Sequence, residues 1–203
     1  MNHTLDQSLA TALAEASVDE RATLLINYLN DRGQSFYDEN VTQLSHGLQS
    51  ALLARNAGAS PEAVVSALLH DLGHLLVDEH TATGDFLDED LNHEVVGAEY
   101  LEPFFGPAVL EPIRLHVPAK RYLCTTDETY YNGLSDASKK SFAVQGGNMS
   151  DEEKAEMEKN PYLQEALVLR RWDDGGKVID LETPSAEDFR PELLAALEVK
   201  QNS

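Results

Sequence analysis

The chain has 203 residues, of which 42% are hydrophobic and 25% are charged, a composition typical of a globular protein long enough to bury a core. Its 36 acidic residues against 15 basic ones give a formal net charge of −21, and such a surface repels nucleic acid and anionic membranes. The absence of a long apolar run and of signal-peptide features at the N-terminus, together with a single cysteine, Cys124, predicts a cytoplasmic protein without disulfides.

The apolar residues of the first half of the chain recur at helical spacing. Ser17 and Glu20 have the spacing of a capping box, which marks the start of a helix. Ser60 before Pro61 is a second start signal, because proline is tolerated in the first turn. The helices predicted here cover residues 17–31, 41–56 and 61–71.

The second half is also predominantly helical, with a long acidic segment at 78–92 whose length is typical of a lid or binding loop. Ser150 and Glu153 form another capping box. Only residues 177–180 favour a strand. Further helices are predicted over residues 93–101, 107–116 (interrupted near Pro112), 135–147, 161–172 and from 190 onwards.

The dipeptide His70-Asp71 ends an apolar helix, which places an aspartate at the wall of the core. An ionised carboxylate is costly to bury there unless a cation compensates it, and a metal ion would do so. His46 lies 24 residues before His70, and His93 and His116 follow at intervals of 23, each on or at the end of a separate predicted helix. Any one of these histidines alone is typical of a core residue, but the set of four with the His-Asp pair favours metal binding.

Asp173 ends a later predicted helix and completes a set of six candidate ligands, although the adjacent Asp174 leaves its assignment open. Six ligands are too many for one catalytic metal with an open position, and they suit two metals bridged by a carboxylate. Imidazole and carboxylate accept iron, manganese or zinc. His74, one helical turn beyond His70, is interpreted as an outer support or a substrate contact. The six predicted ligands are His46, His70, Asp71, His93, His116 and Asp173.

Several longer segments around these residues resemble the HD-domain superfamily in its binuclear form. Within it they are most similar to the mixed-valent diiron oxygenases that cleave the carbon–phosphorus bond of 1-hydroxyphosphonates. The resemblance extends over about residues 36–180, and it implies an all-α HD-domain helical bundle around a dinuclear metal centre, with one domain over 1–203 and a core at about 17–180. The segments that carry it are TQLSHGLQ (42–49), ALLHDLGH (67–74), NHEVVGAEYL (92–101), HVPAKRYL (116–123), LSDASKK (134–140), QGG (145–147) and RRWDDGGK (170–177).

The resemblance implies two iron ions in an Fe(II)/Fe(III) state, with O2 as co-substrate and Asp71 as the bridge. Glu39, Lys120 and Tyr37 are the implied catalytic residues, but this chain has Phe36 where the family has a tyrosine, with Tyr37 beside it. From the residues alone, Lys120 and Arg170 are charge-assisted donors to a phosphonate or, alternatively, partners of surface carboxylates. The implied substrate contacts are His74, Lys120, Ser138, Gln145, Arg170 and Glu39.

The implied partner is a small hydroxyphosphonate, with no nucleic acid and no membrane. The expected substrate is 1-hydroxy-2-(trimethylammonio)ethylphosphonate, giving glycine betaine and phosphate, or the 2-amino counterpart, giving glycine and phosphate. The acidic loop 85–90, with Glu39 and Tyr37, either surrounds the quaternary ammonium or is simply solvated. Two other hypotheses are a metal-dependent phosphohydrolase acting on a small phosphate ester and a non-catalytic metal-binding or sensing domain.

Overall fold

The computed structural model describes residues 6–36, 41–76 and 92–201, and these residues are built from helices. They contain twelve α-helices, a short 3-10 helix at Ala186–Phe189 and no strand, and none of the helices is long and apolar enough to cross a membrane. In chain order the helices are α1 (Gln7–Glu15), α2 (Val18–Arg32), α3 (Gln43–Asn56), α4 (Pro61–Leu69), α5 (Leu72–Leu76), α6 (His93–Leu101), α7 (Pro107–Thr126), α8 (Glu128–Gly133), α9 (Asp136–Val144), α10 (Asp151–Met157), α11 (Leu163–Gly175) and α12 (Arg190–Gln201).

The predicted start signals form as expected. At α2 the Ser17 hydroxyl accepts the N–H of Glu20, and the Glu20 carboxylate accepts the N–H of Ser17 at 2.8 Å. The second box at α10, between Ser150 and Glu153, is equally complete. The Ser60 hydroxyl caps α4. Each cap satisfies backbone donors that the first helical turn leaves without a partner, which fixes where these helices begin.

Helix α7 differs from the prediction because it continues ten residues beyond His116, to Thr126. Pro112 and Pro118 lie inside it, and each removes a backbone donor at a cost of about 3 kcal/mol. Burial compensates this cost, since the helix packs along α6 and α11 and places a row of apolar side chains in the interior. These buried side chains are Val109, Leu110, Ile113, Val117, Ala119 and Leu123.

The strand predicted at residues 177–180 is wrong, because no neighbouring strand lies beside this segment in the described part of the chain. Its backbone pairs instead with a side chain. The Gln49 amide accepts the N–H of Val178 and donates to the carbonyl of Val178, both at 2.9 Å. The amide therefore fixes this segment against α3 in the way that a strand partner would.

The centre of the fold lies between four helices, since α3 packs against α4 and α11, and α7 packs against α4 and α11. Helix α12 covers α4 and α2 from outside, and α6 lies against α5 and α7. The most deeply buried large side chains of the core include Leu69, Leu101, Phe105, Ile113, Leu169 and Phe189. Each of the four central helices therefore has one face turned towards a shared interior.

Two glycines allow α5 and α6 to cross with their backbones in contact. A Cβ atom at Gly73 would overlap the carbonyl oxygen of His93, and a Cβ at Gly97 would lie 3.1 Å from the backbone nitrogen of Gly73. Gly73 therefore excludes a larger residue, and Gly97 leaves little space for one. This crossing brings the start of α6, with His93, next to Asp71.

We expect Gly73→Ala to lower the free energy of unfolding by about 1–3 kcal/mol, because the new methyl group meets backbone that cannot rotate away. Urea denaturation measures this change. The matched control is Gly133→Ala, where a Cβ meets nothing within 4 Å and the change should stay within about 0.5 kcal/mol. Equal stabilities for the two variants would contradict the close crossing of α5 and α6.

Candidate metal centre

The six predicted ligands converge in the interior between the central helices, although they come from distant parts of the sequence. Two lie on α3 and at the C-terminal end of α4, Asp71 follows directly, and the others lie at the start of α6, on α7 and on α11. All six side chains are buried. Their exposed fractions are 0% for His46, 0% for His70, 8% for Asp71, 6% for His93, 1% for His116 and 2% for Asp173.

The four imidazoles form two pairs whose inner nitrogens face each other. The Nε2 atoms of His46 and His70 are 3.1 Å apart, and those of His93 and His116 are also 3.1 Å apart. The rings of His70 and His116 meet edge to face at 5.2 Å between centroids, so the two pairs are neighbours.

In three of the four rings, the contacts of Nδ1 show which nitrogen carries the proton. Nδ1 of His70 and of His116 lie 2.9 and 2.8 Å from the carbonyl oxygen three residues earlier, and Nδ1 of His46 lies 2.9 Å from the carbonyl oxygen of Gly176. A carbonyl can only accept, so these Nδ1 atoms donate, and in a neutral ring Nε2 then presents a lone pair. When both rings of a pair are neutral, their facing lone pairs repel each other, and a metal ion between them removes the repulsion.

The Asp71 carboxylate lies between the two imidazole pairs. Its Oδ2 is 3.4 Å from Nε2 of both His46 and His70, and its Oδ1 is 3.3 Å from Nε2 of His93 and 3.5 Å from that of His116. Oδ2 is buried without a hydrogen-bond partner in the described chain. Each oxygen thus serves one pair, which is the arrangement of a carboxylate that bridges two metal ions.

Asp173 and Asp174 are adjacent in sequence but face different groups. Oδ1 of Asp173 is 3.4 Å from Nε2 of His46 and is buried without a hydrogen-bond partner among the described residues, while Oδ2 accepts Nη1 of Arg170 at 2.5 Å. Asp174 accepts from Nη2 of Arg170 and, at 2.5 Å, from the hydroxyl of Tyr130. Asp173 therefore belongs with the imidazoles, and Asp174 belongs with the groups that hold Arg170.

The charges of the site favour ionised carboxylates. Burial raises the pKa of Asp71, but His70, His46 and His93 outweigh it and hold the pKa well below its usual range. Burial also opposes ionisation of Asp173, and Arg170 keeps its pKa low. Without a metal, the two carboxylates raise the pKa of His46 to about 9 against the effect of burial. The carboxylates therefore attract a cation, and metal ions between the imidazole pairs meet that need.

Two further side chains border the His93 side of the centre. The ring of His74 stacks on that of His93, with 3.8 Å between centroids, and ligand atoms of His74, His93 and Asp71 all lie within 4.8 Å of one another. Oε2 of Glu94 is 3.6 Å from Nδ1 of His93. The sequence prediction includes His74 but not Glu94, whose only signal is an acidic residue next to a predicted ligand.

Beside the centre, two lysines contact two serines of α9. Nζ of Lys120 donates to Oγ of Ser141 at 2.9 Å, and Nζ of Lys177 donates to Oγ of Ser138 at 3.1 Å. Burial, then the positive charges of Arg170 and Lys177, lower the pKa of Lys120 to about 7. The structure thus brings the predicted Lys120, Ser138 and Arg170 together and adds Lys177 and Ser141, which the sequence prediction does not include.

Of the remaining predicted site residues, only Gln145 lies within the described chain. Gln145 is the half-buried residue that ends α9. Tyr37, Glu39 and the acidic loop 85–90 lie outside the residues that the structure describes. Phe36, at the position where the family has tyrosine, is 69% exposed and pairs through its backbone with Thr42.

Comparison with known proteins agrees with this geometry. Residues 44–174 match the HD domain family. The chain is 52% identical to a hydroxymethylphosphonate dioxygenase of Gimesia maris, over 98% of this chain and 99% of that protein. It is 44% identical to a [1-hydroxy-2-(trimethylamino)ethyl]phosphonate dioxygenase (glycine-betaine-forming) of Leisingera caerulea, over 78% and 80% respectively. An uncharacterized protein of Acanthamoeba polyphaga mimivirus is 32% identical over 89% of the chain and 83% of that protein.

We expect Asp71→Asn to weaken the binding of both metal ions by about 100-fold or more, because one charged carboxylate serves both imidazole pairs. Metal analysis after dialysis against a chelator measures the metal retained per chain. The matched control is Asp174→Asn, which removes the same charge next to Asp173 and should retain both ions. Similar metal loss in the two variants would contradict the bridging role of Asp71.

Proposed function

We propose that this chain, which belongs to the HD domain family and within it to the group of phosphonate dioxygenases, uses O2 to cleave the carbon–phosphorus bond of a 1-hydroxyphosphonate. The observation that carries the proposal is a carboxylate shared by two imidazole pairs, with cationic side chains beside it that suit a phosphonate. The products are phosphate and a carboxylic acid. We also propose that residues 1–203 form one HD domain.

The proposed metal ions are two irons in an Fe(II)/Fe(III) state. His46, His70 and Asp173 would hold one ion, His93 and His116 would hold the other, and Asp71 would bridge them. When bound, the irons supply O2 binding, electron transfer and polarisation of the substrate oxygens. The chain supplies the buried environment, and the carbonyl partners of His46, His70 and His116 keep the ligand rings in place.

Lys120 and Ser138 are proposed to hold the phosphonate, with His74 and Gln145 as further contacts. A phosphonate dianion needs charge-assisted donors, and the buried ammonium of Lys120 is such a donor. Arg170 is proposed to act at the same end, and its contacts with Asp173 and Asp174 fix the plane of its guanidinium. Tyr37 and Glu39 remain predicted catalytic residues near the other end of the substrate.

The net reaction balances for the smallest member of this substrate class. Hydroxymethylphosphonate and O2 give formate, phosphate and a proton, so the carbon–phosphorus bond breaks and carbon is oxidised while O2 is reduced. We propose hydroxymethylphosphonate as the substrate, since the relative with that name is 52% identical over nearly the whole chain. The trimethylammonium substrate expected from the sequence is the second candidate, supported by the 44% identical relative.

Oxygen dependence tests the reaction class. We expect the iron-loaded protein to release phosphate from a hydroxyphosphonate in air and to stop in an anaerobic chamber, with one O2 consumed for each phosphate. An HD-type phosphohydrolase would work equally well without O2, because its nucleophile is derived from water. Phosphate release that is unchanged under anaerobic conditions would refute the oxygenase proposal.

A direct comparison of substrates tests the finer proposal. We expect kcat/KM for hydroxymethylphosphonate to exceed that for the trimethylammonium compound by at least about 10-fold, a difference of about 1.4 kcal/mol in transition-state binding. Formate and glycine betaine are quantified as the respective products. A preference for the trimethylammonium compound would instead support the expectation from the sequence.

A further inference from the structure

We propose that Lys177 is a further anion-binding residue of this site and binds the phosphonate together with Lys120. The inference rests on the proposed function for the identity of the substrate, but its geometric basis is independent of the reaction. Lys177 ends the segment RRWDDGGK (170–177) that carries part of the resemblance, but it is not among the substrate contacts that the resemblance implies.

Lys120 and Lys177 converge on one helix, α9. Ser138 and Ser141 lie one turn apart on α9, and Oγ of Ser141 donates to the carbonyl of Ser138 at 3.1 Å. Lys120 reaches Ser141 from α7, and Lys177 reaches Ser138 from the segment that follows α11. Two ammonium groups from different elements therefore meet beside the same turn of α9.

Lys120 and the charged side chains around it include more cations than carboxylates. Arg170 is matched by Asp173 and Asp174, with which it forms close ion pairs. At Lys120, burial and the positive charges of Arg170 and Lys177 outweigh the attraction of those two aspartates. Lys120, Arg170 and Lys177 therefore place three positive charges against the two carboxylates here, within a chain of net charge −21. Such a place favours a dianion, and a phosphonate has three oxygens that can accept from two ammonium groups and from the hydroxyl of Ser138.

The backbone next to Lys177 is bonded to a predicted metal ligand, His46. The preceding residue, Gly176, accepts Nδ1 of His46, and a Cβ there would overlap Oγ of Ser50, so its backbone is held tightly against α3. On the other side, the Gln49 amide fixes Val178. Lys177 thus lies between two anchored residues, and its distance from the metal centre is set by the fold.

Phosphate binding to the metal-loaded protein provides the test, with inorganic phosphate as the probe and calorimetry as the measurement. We expect Lys177→Met to weaken phosphate binding about 10-fold, which corresponds to about 1.4 kcal/mol. KM for the hydroxyphosphonate should rise by a similar factor, more than kcat falls, and metal content should not change. Lys177→Arg should restore most of the binding, because it retains the charge.

The control is Lys139→Met, since Lys139 is a half-buried lysine of α9 whose ammonium donates to the backbone carbonyl of Asn132 and lies 5.8 Å from the ring centroid of Tyr131, with no hydrogen bond to Ser138 or Ser141 among those described. Phosphate affinity of Lys177→Met equal to that of this control would overturn the proposal. Loss of metal in Lys177→Met would also overturn it, because the residue would then support the fold of the centre instead. If the wild-type protein oxidises no hydroxyphosphonate but binds phosphate through Lys177, the proposed function fails and the anion site stands.

Discussion

The fold depends on the Asp71 carboxylate, which is charged, buried and placed between four imidazoles. A buried carboxylate without compensation costs several kcal/mol, so this arrangement is stable only when cations or donors surround it. The rings of His46 and His70 on one side and of His93 and His116 on the other surround it and would hold the metal ions that compensate its charge. Because these residues come from distant helices, compensation of one charge requires that α3, α4, α6 and α7 meet at one place.

Features encoded by neighbouring residues were predictable from the sequence. Ser17 and Ser150 cap their helices because the partner glutamate lies three residues away, and that spacing is visible in the sequence. The full length of α7 was not predictable, because Pro112 and Pro118 locally oppose a helix and only burial against α6 and α11 outweighs them. The segment around Val178 was misread for a related reason, since its partner is a side chain 129 residues away.

The candidate site also contains residues that were predictable from the sequence and residues that were not. The histidines were found because imidazoles at nearly regular intervals on apolar helices are rare, and the His-Asp pair adds a charge where a core is expected. Lys177 and Glu94 lie in segments that carry the resemblance, but the residue types alone do not mark them, since single charged residues have the same appearance on any solvated surface. Asp173 and Asp174 are indistinguishable in sequence, and only the direction of each side chain separates the residue at the imidazoles from the one at Arg170.

The contrast between a chain of net charge −21 and a positive site beside the metal centre bears on how an anion is selected. At physiological ionic strength charges on the surface are screened beyond about 8 Å, whereas charges in a buried site are screened much less. A phosphonate that has entered therefore responds to Lys120 and its neighbours and only weakly to the acidic exterior. The surface charge therefore does not determine whether the protein prefers a substrate with a neutral or a cationic group at the end away from the phosphonate. That choice must be made by side chains within contact distance of the substrate carbon.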